Sequence, residues 1–205
     1  MADMQAFQDA VRDWAKGGPG GPASDLAGRL GVRTAVLLEG PSDLAAVEAL
    51  AARRGRDLAT EGVCVVPMGG AMSIGRYAGL LGPPGLGLRL AGLCDVGERR
   101  FYDRGLKRAR APHRDFFVCV RDLEDELIRA LGTARVEEIV QAEGDLRAWQ
   151  TLLHQPAHHG RPRQEQLRRF LGTKKGRKIR YGRLLVEALG PEQVPPPLDN
   201  LLRCL

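Results

Sequence analysis

The acids that could do chemistry in this chain stand where apolar runs end. Glu39 directly follows Ala35, Val36, Leu37 and Leu38, and the Gly-Pro-Ser after it brings Asp43 four positions later. Asp95 closes LRLAGLCD in the same way, and Asp122 and Glu124 stand just beyond FFVCV. Carboxylates pressed together repel one another and raise each other's pKa, and a hard divalent cation with oxygen ligands relieves them. Magnesium suits such a site, with phosphate esters as its substrates. Taken singly, Asp43, Asp122 and Glu124 also suit helix N-termini, where acids are favoured. The set of acids, and no single one of them, points to a metal.

The elements that must position these acids are legible as short apolar runs. RTAVLLEG (33–40), VCVVPM (63–68), LRLAGLCD (88–95) and FFVCV (116–120) are nearly continuous in apolar character, as strands covered on both faces of a parallel sheet should be. DLAAVEALAARRG, closed by Gly55, and MSIGRYAGLLG read as the helices between them. The order is β-α-β-α-β, then a long basic loop, then β-α, which predicts a doubly wound sheet with right-handed crossovers. In such sheets ligands bind at the C-terminal rim of the strands, where the acids stand.

Outside this region the chain reads as helical. The first sixteen residues carry Phe7, Val11 and Trp14 at helical spacing and are broken by GGPGGP, and SDLAGRL forms a short helix with Ser24 as its N-cap. After Asp122 come DLEDELIRALG, ARVEEIVQAEG, LRAWQTLLH, QEQLRRFLG and RYGRLLVEALG, then a proline-marked tail, VPPPLDNLLRCL. The expected organisation is an N-terminal helical arm with a Gly/Pro linker (1–30), an α/β core (31–135) and a helical, basic C-terminal extension (136–205).

Composition narrows the class. With 205 residues, 43% hydrophobic and 27% charged, the chain suits one globular unit with an appendage. The absence of an 18-residue apolar run and of a signal-peptide pattern at the N-terminus points to the cytoplasm and away from a membrane. Cys64, Cys94, Cys119 and Cys204 lie far apart, three of them in strand-like runs, and read as core thiols. His154, His158 and His159 are interrupted by Pro156, which spoils a helical ligand pair.

The net charge of +6 is unevenly placed. Residues 160–186 hold ten Lys or Arg against Glu165 alone, and residues 98–114 hold seven against Glu98 and Asp103. Without these two blocks 14 basic residues face 22 acidic ones. Clustered cations suit a polyanion, so the expected partner is DNA, or RNA. Arg168, Arg169, Lys174, Lys175, Arg177 and Arg180 are the candidate backbone contacts.

AVLLEGPSD, then GLCD ending a later strand, then DLEDEL together resemble the Toprim domains of the OLD (overcoming lysogenization defect) family nucleases. The Glu-Gly-x-x-Asp spacing of Glu39 and Asp43 is the most specific element, and motif support covers roughly residues 33 to 130. The resemblance implies a Toprim-like α/β fold, with a mostly parallel four-stranded sheet flanked by helices and a helical C-terminal extension. It implies Glu39 and Asp95 at one metal, Asp43 with Glu124 at another, and a lysine near the scissile phosphate, best matched by Lys178 with Lys174 and Lys175 close by.

Two departures stand out. The motif reads Asp95-Val96-Gly97-Glu98, so the second Asp of the family's Asp-x-Asp is replaced by Gly97, and Glu98 one residue later is its candidate substitute. The expected cofactor is accordingly Mg2+ or Mn2+, as one or two ions. The family also carries an ABC-type ATPase, whereas this sequence has no Gly-Lys dipeptide and so no Walker A loop; an ATPase would have to come from a partner chain. The expected activity is metal-dependent cleavage of phosphodiesters, as nicking or endonuclease action. The alternatives are a catalytically weak Toprim module that binds nucleotide or nucleic acid or docks an ATPase, and a nucleotidyl transferase.

Overall fold

The chain runs α1 (Ala2–Ala15), α2 (Gly21–Leu30), β1 (Thr34–Leu38), α3 (Pro41–Arg53), β2 (Val63–Pro67), α4 (Ile74–Leu81), β3 (Arg89–Asp95), α5 (Arg99–Arg108) and β4 (Phe116–Cys119). Six helices follow: α6 (Leu123–Leu131), α7 (Thr133–Ala142), α8 (Leu146–Leu153), α9 (Arg163–Leu171), α10 (Arg177–Ala188) and α11 (Pro196–Cys204). This computed structural model describes residues 2–205 except 114 and 175, so Lys175, a candidate backbone contact, lies outside the described residues.

The four apolar runs form one parallel sheet in the order β2-β1-β3-β4, with Val36 of β1 level with Val65 of β2 and Ala91 of β3. Strand side chains alternate between faces. Val36 and Leu38 enter a core shared with α3 and the six C-terminal helices, while Ala35 and Leu37 enter one shared with α1, α2, α4 and α5. Both faces are thus covered, which is why the strands carry no polar alternation. Three of the four free cysteines are buried in these cores. Among the described residues no helix is long and apolar enough to cross a membrane.

The helices after β1 and β3 pack on opposite faces, although the two strands are neighbours. The crevice between their C-terminal ends is the topological switch point at which open α/β sheets bind ligands. Glu39 and Asp95 stand at that crevice, one at the end of each strand.

Two local expectations change, and the tail gains definition. The basic stretch after Asp95 is a helix, α5, rather than a loop, because Tyr102 and Leu106 recur four residues apart and bury against the second core while the cations face outward. Gly105 lets it close on α4: a Cβ there would lie 2.8 Å from the backbone N of Gly75. Ser24 is inside α2 and does not cap it; the helix begins at Gly21, with Pro22 in its first turn where a missing N–H costs nothing. The proline-marked tail is also helical, since its prolines occupy the first turn of α11 and Leu198, Leu201 and Leu202 bury against the first core.

The C-terminal helices are fastened to the end of α3. Arg53 donates to the carbonyls of Val186 and Leu189 (2.7 Å to the latter). Arg54 pairs with Asp199, and Arg56 reaches the Leu202 carbonyl and Glu61. On the opposite face α1 lies against β2, where Gln8 donates to the Val65 carbonyl at 2.8 Å.

Gly105→Val should drive α4 and α5 apart at a contact made of backbone. The expected cost is about 1–3 kcal/mol, read as a Tm lower by several degrees in thermal unfolding. A Tm equal to that of the unsubstituted protein would show that the crossing is loosely packed.

Candidate functional site

The acids are carried by backbone that the sequence leaves little freedom. Glu39 follows the fully buried Leu38, and its carbonyl accepts the N–H groups of Gly69 and Gly70 at 3.0 and 2.9 Å. Those glycines have φ of 78° and 122°, which a side chain would resist, so the turn after β2 is latched onto the end of β1. Asp43 lies in the first turn of α3, where its Oδ2 accepts the Gly40 N–H at 2.9 Å. Asp95 is the last residue of β3, and Asp122 is the N-cap of α6.

Glu39, Asp43, Asp95, Asp122, Glu124 and Lys178 line one cavity of about 190 Å³. The buried Ser42 lines it too and was not picked out from sequence, where a lone serine in a Gly-Pro-Ser-Asp turn carries no sign of its orientation. Glu98 ends a 3-10 turn after β3 and does not line the cavity. Its charge nevertheless reaches Glu39.

The electrostatics are those of an under-compensated acidic cluster. Burial pushes the Asp95 carboxyl up to about 8, and Glu39, Asp122, Asp43 and Glu124 add to the rise. Burial and then Glu124 push Asp43 up to about 7 against the Gly40 N–H and Lys178, which hold it down. Glu39 is raised as well, by burial and by Glu98, against a backbone hydrogen bond at Asp95. Its Oε1 is buried without a hydrogen-bond partner. A buried carboxylate oxygen without a donor is costly unless a cation meets it.

Two cations from the C-terminal helices answer part of this charge. Lys178, in the first turn of α10, places Nζ 3.1 Å from the buried Glu124 Oε2, an ion pair without hydrogen-bonding angles. Burial pulls the Lys178 ammonium down, but Glu124, Asp43 and Asp122 outweigh it and leave its pKa above the ordinary value. Arg168 of α9 meets Asp122 Oδ2 at 2.5 Å, and Asp122 Oδ1 takes the Asp125 N–H at 2.8 Å. Both Asp122 oxygens are therefore engaged. Lys178 can sit so close because Gly182, one turn further along α10, meets α3: a Cβ there would lie 2.6 Å from the Ser42 carbonyl.

Next to the acidic cavity lies a cleft of about 410 Å³ lined by Arg121, Arg161, Arg168 and Arg169, which shares Asp122, Glu124 and Lys178 with it. Arg121 and Arg161 were not singled out from sequence, although Arg121 stands directly before Asp122. Lys174 is exposed, and Arg180, in the first turn of α10, is paired with Asp145. Arg177 is buried, stacked 4.1 Å over Phe170 and bonded to Thr173 Oγ1 at 2.7 Å and Asp145 at 3.3 Å.

All donors facing the cavity from the acids are carboxylate oxygens, the set a hard divalent ion takes. Among the described residues, no three His, Cys, Asp or Glu side chains are grouped closely enough to hold an ion as they stand. Holding one requires the carboxylates to rotate toward a common point, and the partnerless Glu39 Oε1 is the oxygen most readily recruited.

Residues 32–96, which span β1 to the end of β3, match the family described as overcoming lysogenization defect protein-like, TOPRIM domain. That segment is similar to an OLD-like Toprim domain. Glu39, Asp43 and Asp95 fall inside the matched segment, and Glu124 and Lys178 beyond it. Two solved structures share the wider fold. The C-terminal region of the Burkholderia pseudomallei OLD protein is 20% identical with a TM-score of 0.63, covering 84% of this chain and 96% of that one. The C-terminal region of the Xanthomonas campestris pv. campestris OLD protein is 23% identical with a TM-score of 0.62, covering 84% and 93%. The OLD-like α/β fold with its helical extension is thus present in this chain. No curated protein sequence matches it.

The raised carboxylates of the Toprim site give a pH-linked prediction. An acid whose folded pKa lies above its unfolded value costs the folded state more as pH rises, here from about 4, the ordinary Asp value, to about 8 for Asp95. Without metal, Asp95→Asn should unfold at a higher temperature than the unsubstituted protein at pH 8, with the gain shrinking toward pH 5. Equal Tm values at both pH values would mean that Asp95 is well solvated or already compensated.

Proposed function

We propose that the Toprim site cleaves phosphodiester bonds of nucleic acid with Mg2+ or Mn2+. The observation that carries this reading is the convergence of five carboxylates and Lys178 on one cavity at the switch point, beside an arginine-lined cleft. Glu39 and Asp95 would hold one ion, and Asp43 with Glu124 a second. Bound there, magnesium supplies charge neutralisation at the phosphodiester oxygens and lowers the pKa of coordinated water.

The chain's own residues would do the rest. Glu39, with Oε1 buried and without a hydrogen-bond partner, would either hold the ion or accept a proton from the attacking water. Lys178, released from Glu124, would place its ammonium on a phosphate oxygen, where charge builds up in the transition state. Arg121, Arg161, Arg168 and Arg169 would hold the flanking backbone without reading sequence. Arg168 binds Asp122 in the present arrangement, so a phosphate entering the cleft would compete for the guanidinium. In this reading the function needs nucleic acid as substrate, and a partner chain would supply ATPase action where that is required.

Gly97 favours a second reading, a Toprim module with weak catalysis that binds nucleic acid or docks a partner. The position is exposed, and a Cβ there meets nothing within 4 Å, so the missing acid is a chemical absence without a packing cause.

Supercoiled plasmid incubated with Mg2+ or Mn2+ should be nicked, and Glu39→Ala or Asp95→Ala should reduce the rate by at least about a hundredfold. Metal uptake without nicking would support the weak module, and absence of metal uptake would sink both metal-based readings. Gly97→Asp should raise the nicking rate if the second carboxylate limits it; an unchanged rate would assign Glu98 or a single ion to the task. Gly182→Val should lift α10 off Ser42 and lower the cleavage rate about tenfold or more while metal binding persists. Full activity in that variant would remove Lys178 from the mechanism.

A further inference from the structure

Five large apolar side chains are exposed among the described residues: Met72 (80%), Val96 (53%), Val120 (60%), Leu146 (36%) and Ile179 (39%). Four of the five adjoin the acidic cavity in sequence. Met72 stands two residues after Gly70, Val96 one after Asp95, Val120 one after Cys119 and Ile179 one after Lys178, and Gly70, Asp95, Cys119 and Lys178 all line the cavity. Met72, Val96 and Val120 follow three different parallel strands at the same end of the sheet. Scattered exposed apolar residues need no explanation, but a set gathered around one polar opening marks a recognition surface.

We propose that this apolar rim receives the bases of an unpaired nucleic-acid strand, so that the site takes its substrate single-stranded or locally opened. The inference rests on the phosphodiester reading above and names the form of substrate.

A duplex presents its charged backbone outward and keeps its base faces stacked inside, so an apolar rim pressed on it would lose hydration without apolar contact in return. An unpaired strand exposes base faces that stack or pack on apolar side chains, and does so with little regard to sequence. Met72 adds a polarisable thioether suited to an aromatic face. The charge pattern agrees. Apolar Val120 is followed at once by Arg121 of the basic cleft, and Ile179 is preceded by Lys178, which lines both the cavity and the cleft, so these two apolar contacts have a cation beside them for the adjoining phosphate. Val120 is held in place through its backbone, whose N–H donates to the buried Glu126 at 2.8 Å, and its side chain is left in solvent.

Fluorescence anisotropy with a labelled oligonucleotide, its duplex and an abasic strand of equal length, in EDTA, tests the proposal apart from catalysis. The single strand should bind about tenfold or more tightly than the duplex, and Met72→Ser combined with Val120→Ser should remove most of that difference. Both positions are exposed, so the Tm of the double variant should stay unchanged and confirm its folding. Equal binding of single strand and duplex, of intact and abasic strand, or of variant and unsubstituted protein would overturn the proposal. So would a change of oligomeric state in the double variant on size exclusion, which would assign the rim to a protein partner. Single-strand preference without plasmid nicking would uphold the rim and defeat the nuclease reading; nicking with no such preference would do the reverse.

Discussion

The mutual repulsion of carboxylates at the end of the β1–β3 crevice is the constraint around which this molecule is arranged. Burial and like charge together lift Asp95 and Asp43 far above ordinary carboxylates. A fold does not gather acids in this way for stability, since each contributes an unfavourable charge to the folded state. What makes the cluster tolerable is a set of local answers: Gly40 N–H for Asp43, Asp125 N–H and Arg168 for Asp122, and Lys178 for Glu124. Glu39 Oε1 and Glu124 Oε2 are buried without a hydrogen bond, and of the two only Glu124 Oε2 has an ion-pair partner among the described residues, Lys178.

This division explains why the helical extension and the sheet belong to one core. The acids ride on β1, α3, β3 and the start of α6, and the cations that face them ride on α9 and α10. Residues from all of these elements share one apolar cluster. The close approach at Gly182 and the arginine clamp at the far end of α3 convert that packing into a fixed distance between Lys178 and Glu124.

Much of this was legible in the sequence, and the parts that were not share a physical cause. The four strands could be read because continuous apolar runs bounded by turns leave few other structures, and Glu39 and Asp95 because they break such runs abruptly. Helix α5 was hidden because its cations mask the spacing of Tyr102 and Leu106. Nothing in the intervening chain announces that Lys178 meets Glu124; the resemblance alone brought that lysine to the site. Charge alone could not tell that Arg177 turns inward to Asp145 and Phe170 while Arg168 and Arg169 line the cleft.

The packing of α3 beside α10 carries one more implication. Ser42 meets Gly182 near one end and Arg53 meets Val186 and Leu189 near the other, so the two helices run in the same direction. Parallel helices place like ends of their dipoles together, an arrangement that repels unless charge of the opposite sign covers each end. Arg53, Arg54 and Arg56 cluster at the carbonyl end, and the acids beginning with Asp43 at the amide end. Asp43 therefore serves as a counter-charge at the amide end of α3, and α3 acts as a ruler whose length sets the span between anchor and chemistry. Change of register along it would be felt at both ends at once.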